Sequence, residues 1–121
     1  MRIACGVDVV ELPRFRQTLK RSGAAFMRRV FTSGEAAYAK ARPRTKLLHL
    51  AGRFAAKEAV IKALSQLAPS KMVAMREVEI RNDRLGRPHV KLHRRGFGRV
   101  KIHVSLSHVN SVAVASAIAT Q

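Results

Sequence analysis

The sequence predicts an α+β fold in which an N-terminal strand precedes a helical block and an antiparallel meander follows. Three observations point there. Residues Ile3 to Val10 (IACGVDVV) form a short apolar run rich in β-branched residues, as a buried strand does. Leu47 to Leu67 carries Leu47, Leu50, Phe54, Ile61 and Leu64 as an apolar helical stripe, and Pro69 closes the segment. Val100 to Leu106 alternates, with Val100, Ile102, Val104 and Leu106 on one face and Lys101, His103 and Ser105 on the other.

Each element follows from local chemistry. In the first strand, alternation places Ile3, Cys5, Val7 and Val9 on one face and Ala4, Gly6, Asp8 and Val10 on the other. Asp8 thus lies beside two very small neighbours, with room for something to approach its carboxylate. Leu12-Pro13 opens a helix, because proline is tolerated in a first turn. Gly23 is expected to end or bend it before Phe26, Met27, Val30 and Phe31 resume the pattern. Thr32-Ser33-Gly34-Glu35 matches a capping box and starts a helix running to about Lys40, which Pro43 stops. After the long helix come a strand at Glu77 to Arg81, a turn through Asn82-Asp83-Arg84-Leu85-Gly86 and a strand at Pro88 to Leu92. His108-Val109-Asn110-Ser111 reads as a hairpin turn into Val112 to Ile118. No internal repeat or linker divides residues 1–121, so one unit is expected.

Composition narrows the class. The chain has 121 residues, 24 Lys and Arg against 7 Asp and Glu, and a net charge of +17. With 47% apolar residues it has the material for a core, which excludes wholesale disorder. One cysteine, Cys5, excludes a disulfide framework and is expected to be inert filling in a buried strand. No apolar run approaches a membrane span, and Asp8 and Glu11 interrupt the first stretch, so it does not read as a signal peptide; the cytoplasm is expected. The charge attracts polyanions, and taken alone it favours a basic nucleic-acid-binding module. Against that, the cations form no long block, and aromatics are only 5%, which leaves little for base stacking.

The acids carry more information. Asp8 in an apolar strand is costly unless paired, hydrogen-bonded or metal-bound. Glu58 sits mid-helix among Ala55, Ala56, Ala59 and Val60, a small-residue surface that another element can approach closely. Two carboxylates from separate elements suit Mg²⁺, which takes few protein ligands. Judged residue by residue, the better account is plainer: Asp8 caps or pairs with an arginine, and Glu58 makes an i,i+4 pair with Lys62. Phe54, Glu58 and Lys62 follow one helical row, with Arg53 and Lys57 on the adjacent row, so one carboxylate is expected among three cations. Ser105-Leu106-Ser107-His108 ends a strand at a turn but lacks a third triad member. His49, His89, His93 and His103 have no zinc spacing.

Together these segments are similar to a known family. Gly6-Val7-Asp8-Val9-Val10-Glu11-Leu12 followed by Arg14, Phe31-Thr32-Ser33-Gly34-Glu35, and Leu50-Ala51-Gly52-Arg53-Phe54-Ala55-Ala56-Lys57-Glu58-Ala59 with Lys62 resemble the holo-[acyl-carrier-protein] synthases. Asn82-Asp83 with Gly86-Arg87-Pro88, and His103-Val104-Ser105-Leu106-Ser107-His108, continue the resemblance over nearly the whole chain. These are the small, single-unit 4'-phosphopantetheinyl transferases. The resemblance implies transfer of phosphopantetheine from coenzyme A to a serine of apo acyl carrier protein, releasing adenosine 3',5'-bisphosphate. It places Mg²⁺ on Asp8 and Glu58; in physical terms Lys62 and Lys57 are then expected to add fixed positive charge, and Glu58 to take the serine proton, directly or through water. Arg53 and His108 match positions near the coenzyme's 3'-phosphate, while Asn82, Gly86, Arg87 and Pro88 match a loop beside adenosine. Arg14, Arg21 and Phe26 match the face that docks the acidic carrier protein. A homotrimer with shared sites is implied, and no specific nucleic acid. Two departures mark this chain: residues 63–69 contain no glycine, and His93 to Arg99 is short where many relatives insert a helix.

Overall fold

A computed structural model describes residues 1–121. In chain order it contains β1 (Ile3–Glu11), α1 (Leu12–Val30), α2 (Ser33–Lys40), α3 (Lys46–Leu67), β2 (Val78–Asn82), β3 (Pro88–Leu92), β4 (Lys101–His108) and β5 (Val112–Thr120). Short 3₁₀ turns, Pro43–Thr45 and Met75–Glu77, precede α3 and β2. The expected order is present. β1, β5 and β4 form an antiparallel three-stranded sheet in that spatial order, and β2 pairs with β3 in a separate antiparallel hairpin.

α3 is the axis of the molecule. It packs under β1 and β5 on one side and against α1, α2 and β2 on others. The inner face of β5 is all alanine (Ala113, Ala115, Ala117 and Ala119), with Ala4 of β1 beside it, and the helix answers with Ala55, Ala56, Ala59 and Ala63. Two small-residue surfaces let backbones come unusually close. At the crossing, a Cβ on Gly6 would stand 2.1 Å from the Ala59 carbonyl oxygen, so only glycine fits. The expected apolar stripe is therefore too narrow a description of α3. Leu50 and Leu64 are buried, Leu47, Phe54 and Ile61 only partly so, and the alanines make the closest contact.

α1 docks through aromatic contacts: Phe15 and Phe26 each lie 5.6 or 5.7 Å, centroid to centroid, from Phe54. Its axis is interrupted at Ser22 (φ −127°, ψ 24°), one residue before Gly23, and the helix then continues to Val30 rather than ending. α2 begins with the expected capping box between Thr32 and Glu35. Residues 93–99 form an irregular turn anchored by buried Phe97, over which Lys71 lies 5.3 Å from the ring centroid.

β1 corrects one expectation. Only its Ala4, Gly6, Asp8 and Val10 face meets the core; Cys5 is exposed, and Ile3, Val7 and Val9 are 68%, 57% and 60% exposed. The reason is architectural: α3 covers one side of the sheet, and nothing in the chain covers the other.

Candidate active site

The β1–α3 crossing sets the first half of the site. Gly6 and Ala59 touch, and two residues further along β1 the Asp8 side chain projects to the same side of the sheet, toward α3. Lys62 Nζ donates to Asp8 Oδ1 at 3.2 Å and to the Val7 carbonyl at 2.9 Å. Lys62 thus pairs with the strand carboxylate rather than with Glu58 one turn away. Burial pushes the Glu58 carboxyl above its ordinary pKa, and the neighbouring Asp8 charge adds to this while Lys62 opposes it. Two carboxylates therefore share one partly exposed lysine. Such a set of hard oxygen donors with excess negative charge suits a divalent cation of the Mg²⁺ type, which needs one or two carboxylates. No group of three or more His, Cys, Asp or Glu side chains converges anywhere in the chain.

The second half is a cleft of about 490 Å³ at the junction of α3, the β2–β3 turn and the β4–β5 hairpin. Arg53, Asn82, Gly86, Pro88 and His108 all line it, five residues scattered over three segments of the sequence. None of the side chains lining it is a carboxylate. Arg53 is only 5% exposed, and its guanidinium donates to Asn82 Oδ1 at 2.7 Å. Asn82 in turn donates to the Gly86 carbonyl at 3.0 Å, where Gly86 takes φ +79°. Arg53 Nε is buried with no hydrogen-bond partner. Burial lowers the Arg53 pKa, the expected direction for a cation in a site without a paired anion.

Two expected coenzyme contacts lie elsewhere. Lys57 is fully buried and bonded to Glu35 Oε1 at 2.5 Å, on the side of α3 facing α2 and β2. Burial lowers its pKa and Glu35 opposes the shift, so this lysine is an internal counter-ion and not a free anion ligand. Helical rows alone had grouped it with Glu58, but adjacent residues on a helix point about 100° apart. Arg87 turns outward, with Nε on Asp83 Oδ2 at 2.9 Å, and does not line the cleft. His89 also reaches Asp83 at 2.9 Å, and the converging donors hold the Asp83 carboxyl well below the usual carboxylate range. The expected trio of cations around Glu58 is consequently reduced to Lys62.

Sequence reasoning missed three residues. Glu35 was legible only as a cap, yet it also accepts from the Ile80 amide at 2.8 Å and neutralises Lys57. His49 lines the cleft, and burial, with the charges of Arg53, Arg42 and His108, lowers its pKa. Tyr38 lies against both Arg53 and His49. The signal available for Tyr38 was its being the single tyrosine of a chain poor in aromatics.

One turn before Glu58 on the same row of α3, Phe54 lines with Arg14, Phe15 and Phe26 a groove of about 210 Å³, with Val9 and Thr18 beside them. Arg14 stays exposed beside Glu11, 3.5 Å away, while Phe26 forms the floor with 7% of its surface accessible. Arg21 is exposed on α1 outside this groove.

Known proteins resemble the chain over its whole extent. The family model of the 4'-phosphopantetheinyl transferase superfamily matches residues 4–117. The holo-[acyl-carrier-protein] synthase of Protochlamydia amoebophila is 40% identical over 121 residues, covering 98% of either chain. That of Chlorobaculum tepidum is 42% identical over 111 residues, covering 91% of this chain and 93% of its own. Among solved structures, an ACPS–CoA complex from Chronobacterium ammoniagenes superposes with a TM-score of 0.85 at 34% identity, covering 98% of this chain and 97% of that one. A holo-(acyl-carrier-protein) synthase from Bacillus anthracis in complex with CoA (3',5'-ADP) gives 0.79 at 31% identity, with 96% and 94% covered.

Proposed function

The chain belongs to the holo-[acyl-carrier-protein] synthases of the 4'-phosphopantetheinyl transferase superfamily, and from that premise we propose how its residues carry out the transfer. The reaction moves 4'-phosphopantetheine from coenzyme A to a serine hydroxyl of apo acyl carrier protein. The serine oxygen bonds to the β-phosphorus, the bond from that phosphorus to the bridging oxygen breaks, and adenosine 3',5'-bisphosphate leaves. Alignment and charge stabilisation supply most of the rate in such transfers.

The observation that carries the site assignment is the close crossing of Gly6 over Ala59, which sets Asp8 against Glu58 and Lys62. Asp8 and Glu58 would hold Mg²⁺, and the donor set fits it. When bound, that ion offsets the negative charge gathering on the pyrophosphate oxygens. Lys62 adds a fixed cation beside the same phosphates. Glu58, which faces Asp8 one helical turn before Lys62, takes the serine proton, directly or through water. On the far side of α3, Arg53 and His108 hold the coenzyme's 3'-phosphate in the acid-free cleft, and Asn82, Gly86 and Pro88 border its adenosine.

Carrier-protein docking falls to Arg14 and Arg21, with the Phe15–Phe26–Phe54 groove as the apolar anchor between them and the transfer centre. Complementary charge there speeds encounter and orients the partner. The uncovered face of the sheet, where Ile3, Val7, Val9 and Ile118 are 68%, 57%, 60% and 48% exposed, is too apolar to be left to water. A homotrimer covers it and lets neighbouring copies complete each site. No helix is long and apolar enough to cross a membrane, and action in the cytoplasm fits that.

The test is incubation with apo carrier protein and coenzyme A, read by mass spectrometry with and without Mg²⁺. The expected result is a gain of one phosphopantetheinyl group that requires Mg²⁺. A nucleic-acid module would instead show no gain, and its binding to nucleic acid would fall steeply with salt and ignore Mg²⁺.

A further inference from the structure

The cation that faces the cleft is held by a residue that does not itself line the cleft. Tyr38, half-buried on α2, has the Arg53 guanidinium carbon 4.1 Å from its ring centroid and that of Arg42 at 3.5 Å. The His49 ring meets its edge at 5.1 Å with the planes 88° apart. Arg42 also donates to the Tyr38 carbonyl at 3.0 Å. Stacking on a π-face fixes the plane of a guanidinium without consuming its N–H donors. That matters here because Arg53 has no carboxylate partner: Asn82 takes one donor, and its buried Nε has none.

The platform is itself rigid. Tyr38 follows Glu35 by one helical turn, and Glu35 is locked by the Thr32 amide at 2.9 Å, the Ile80 amide at 2.8 Å and buried Lys57. The backbone that carries the ring is therefore pinned to α3 and β2. The arrangement concentrates Arg53, Arg42 and His49 around one ring beside a cleft without acids. A phosphate monoester, which carries nearly two charges at neutral pH, is the anion such a site discriminates best.

We propose that Tyr38 is a positioning residue for terminal-phosphate recognition: by fixing the plane of Arg53 it makes the protein select a coenzyme that bears a ribose 3'-phosphate over one that lacks it. The inference rests on the coenzyme reading of the cleft. It assigns Tyr38 no contact with the reacting atoms, which lie on the Asp8 side of α3. Loss of the aromatic ring then acts on KM and not on kcat, and only for the donor that carries the 3'-phosphate.

The experiment compares wild type, Tyr38→Leu and Tyr38→Phe with coenzyme A and with 3'-dephospho-coenzyme A as donors. Binding of adenosine 3',5'-bisphosphate and of adenosine 5'-monophosphate is measured alongside by calorimetry, with circular dichroism as the check on folding. Expected for Tyr38→Leu is a roughly tenfold rise in KM for coenzyme A, about 1.4 kcal/mol of lost binding. The bisphosphate should weaken in parallel, while kcat, KM for the dephospho donor and monophosphate binding stay within about twofold. Tyr38→Phe, which keeps the ring, should restore wild-type selectivity. Equal losses for both donors, a fall in kcat with KM unchanged, or failure of Tyr38→Phe to restore selectivity overturns the inference. If Tyr38→Leu does not fold, Tyr38→Phe and Tyr38→His carry the comparison, His being expected to keep part of the selectivity and a loss with His no larger for coenzyme A than for the dephospho donor overturning it. A wild-type protein that uses neither donor but binds the bisphosphate more tightly than the monophosphate breaks the transferase reading and leaves Tyr38 to be judged by calorimetry.

Discussion

Lys57 and Glu58 are neighbours on α3 and have opposite circumstances. Lys57 is sealed from solvent against Glu35, one cation to one anion, with the second carboxylate oxygen taken by the Ile80 amide. Glu58 faces a second carboxylate, Asp8, with only half-exposed Lys62 to balance the two. The first arrangement is saturated and has nothing left to offer a ligand. The second is under-compensated, and adding positive charge improves it. One helix thus fastens the fold with one side and presents chemistry with the other, and the contrast lies in whether charges are balanced internally.

The sharpest way to separate the two regions is to neutralise each in turn. Asp8→Asn and Glu58→Gln are expected to lower kcat by about 10³-fold or more while the fold persists, measured by transfer assays and thermal melts. Stability should respond in the other direction. The Glu58 pKa is raised in the folded state, so its contribution is most favourable at low pH and is lost as pH rises from the ordinary carboxylate value through the folded one. At neutral pH without metal, Glu58→Gln should therefore melt no lower than wild type, and higher if Asp8 repulsion dominates. A melt several degrees lower would break the contrast, because it would make Glu58 a structural residue.

Lys57→Met should do the reverse. Removing one partner leaves Glu35 buried and unpaired, a loss of about 3–5 kcal/mol in stability by denaturant unfolding. Lys57→Met with Glu35→Leu should recover part of it, and kcat per folded molecule should change little. A kcat loss comparable to that of Glu58→Gln would return Lys57 to the transfer centre.

Gly6→Ala tests what joins the regions. Its Cβ would stand 2.1 Å from a backbone carbonyl that cannot swing aside, so β1 must lift from α3 and carry Asp8 with it. A displacement near 1 Å at a transfer site costs about 10²-fold in kcat. Unchanged kcat would show that the crossing does not position the carboxylates.

The smallest effect concerns the cleft. Burial first, then Arg53, Arg42 and His108, lower the His49 pKa, so the ring is neutral in the free protein near pH 7. A phosphate dianion would reverse those charge effects and draw a proton onto the ring. KM for coenzyme A should accordingly rise a few-fold from about pH 6 to 8, and His49→Gln should flatten that rise. A profile identical in wild type and His49→Gln would remove His49 from the site.

What was legible in the sequence was local. The capping box at Thr32, the turn at Asn82 to Gly86, the hairpin at His108 to Ser111 and the alternation of β4 all follow from short-range chemistry, and all are present. Asp8 and Glu58 could be paired because a strand of small residues and a helix of alanines invite close contact. What covers each face is a long-range matter. Nothing in the run Ile3 to Val10 says that its Cys5 face lies open, since both faces are apolar. Lys57 shared a helical neighbourhood with Glu58, and only the placement of α2 reveals that Glu35 claims it. Tyr38 acts through Arg53, a residue fifteen positions on, at a contact no local pattern encodes.

The central claim is that Asp8 and Glu58 together hold one divalent cation. The most direct measurement counts Mn²⁺ retained per chain in the presence of coenzyme A, from the loss of the free-ion electron paramagnetic resonance signal. Wild type should retain one ion, displaced by Mg²⁺, while folded Asp8→Asn and Glu58→Gln retain none at the same concentration. Equal retention by wild type and both variants would contradict the assignment, because the ion would then be held by other groups.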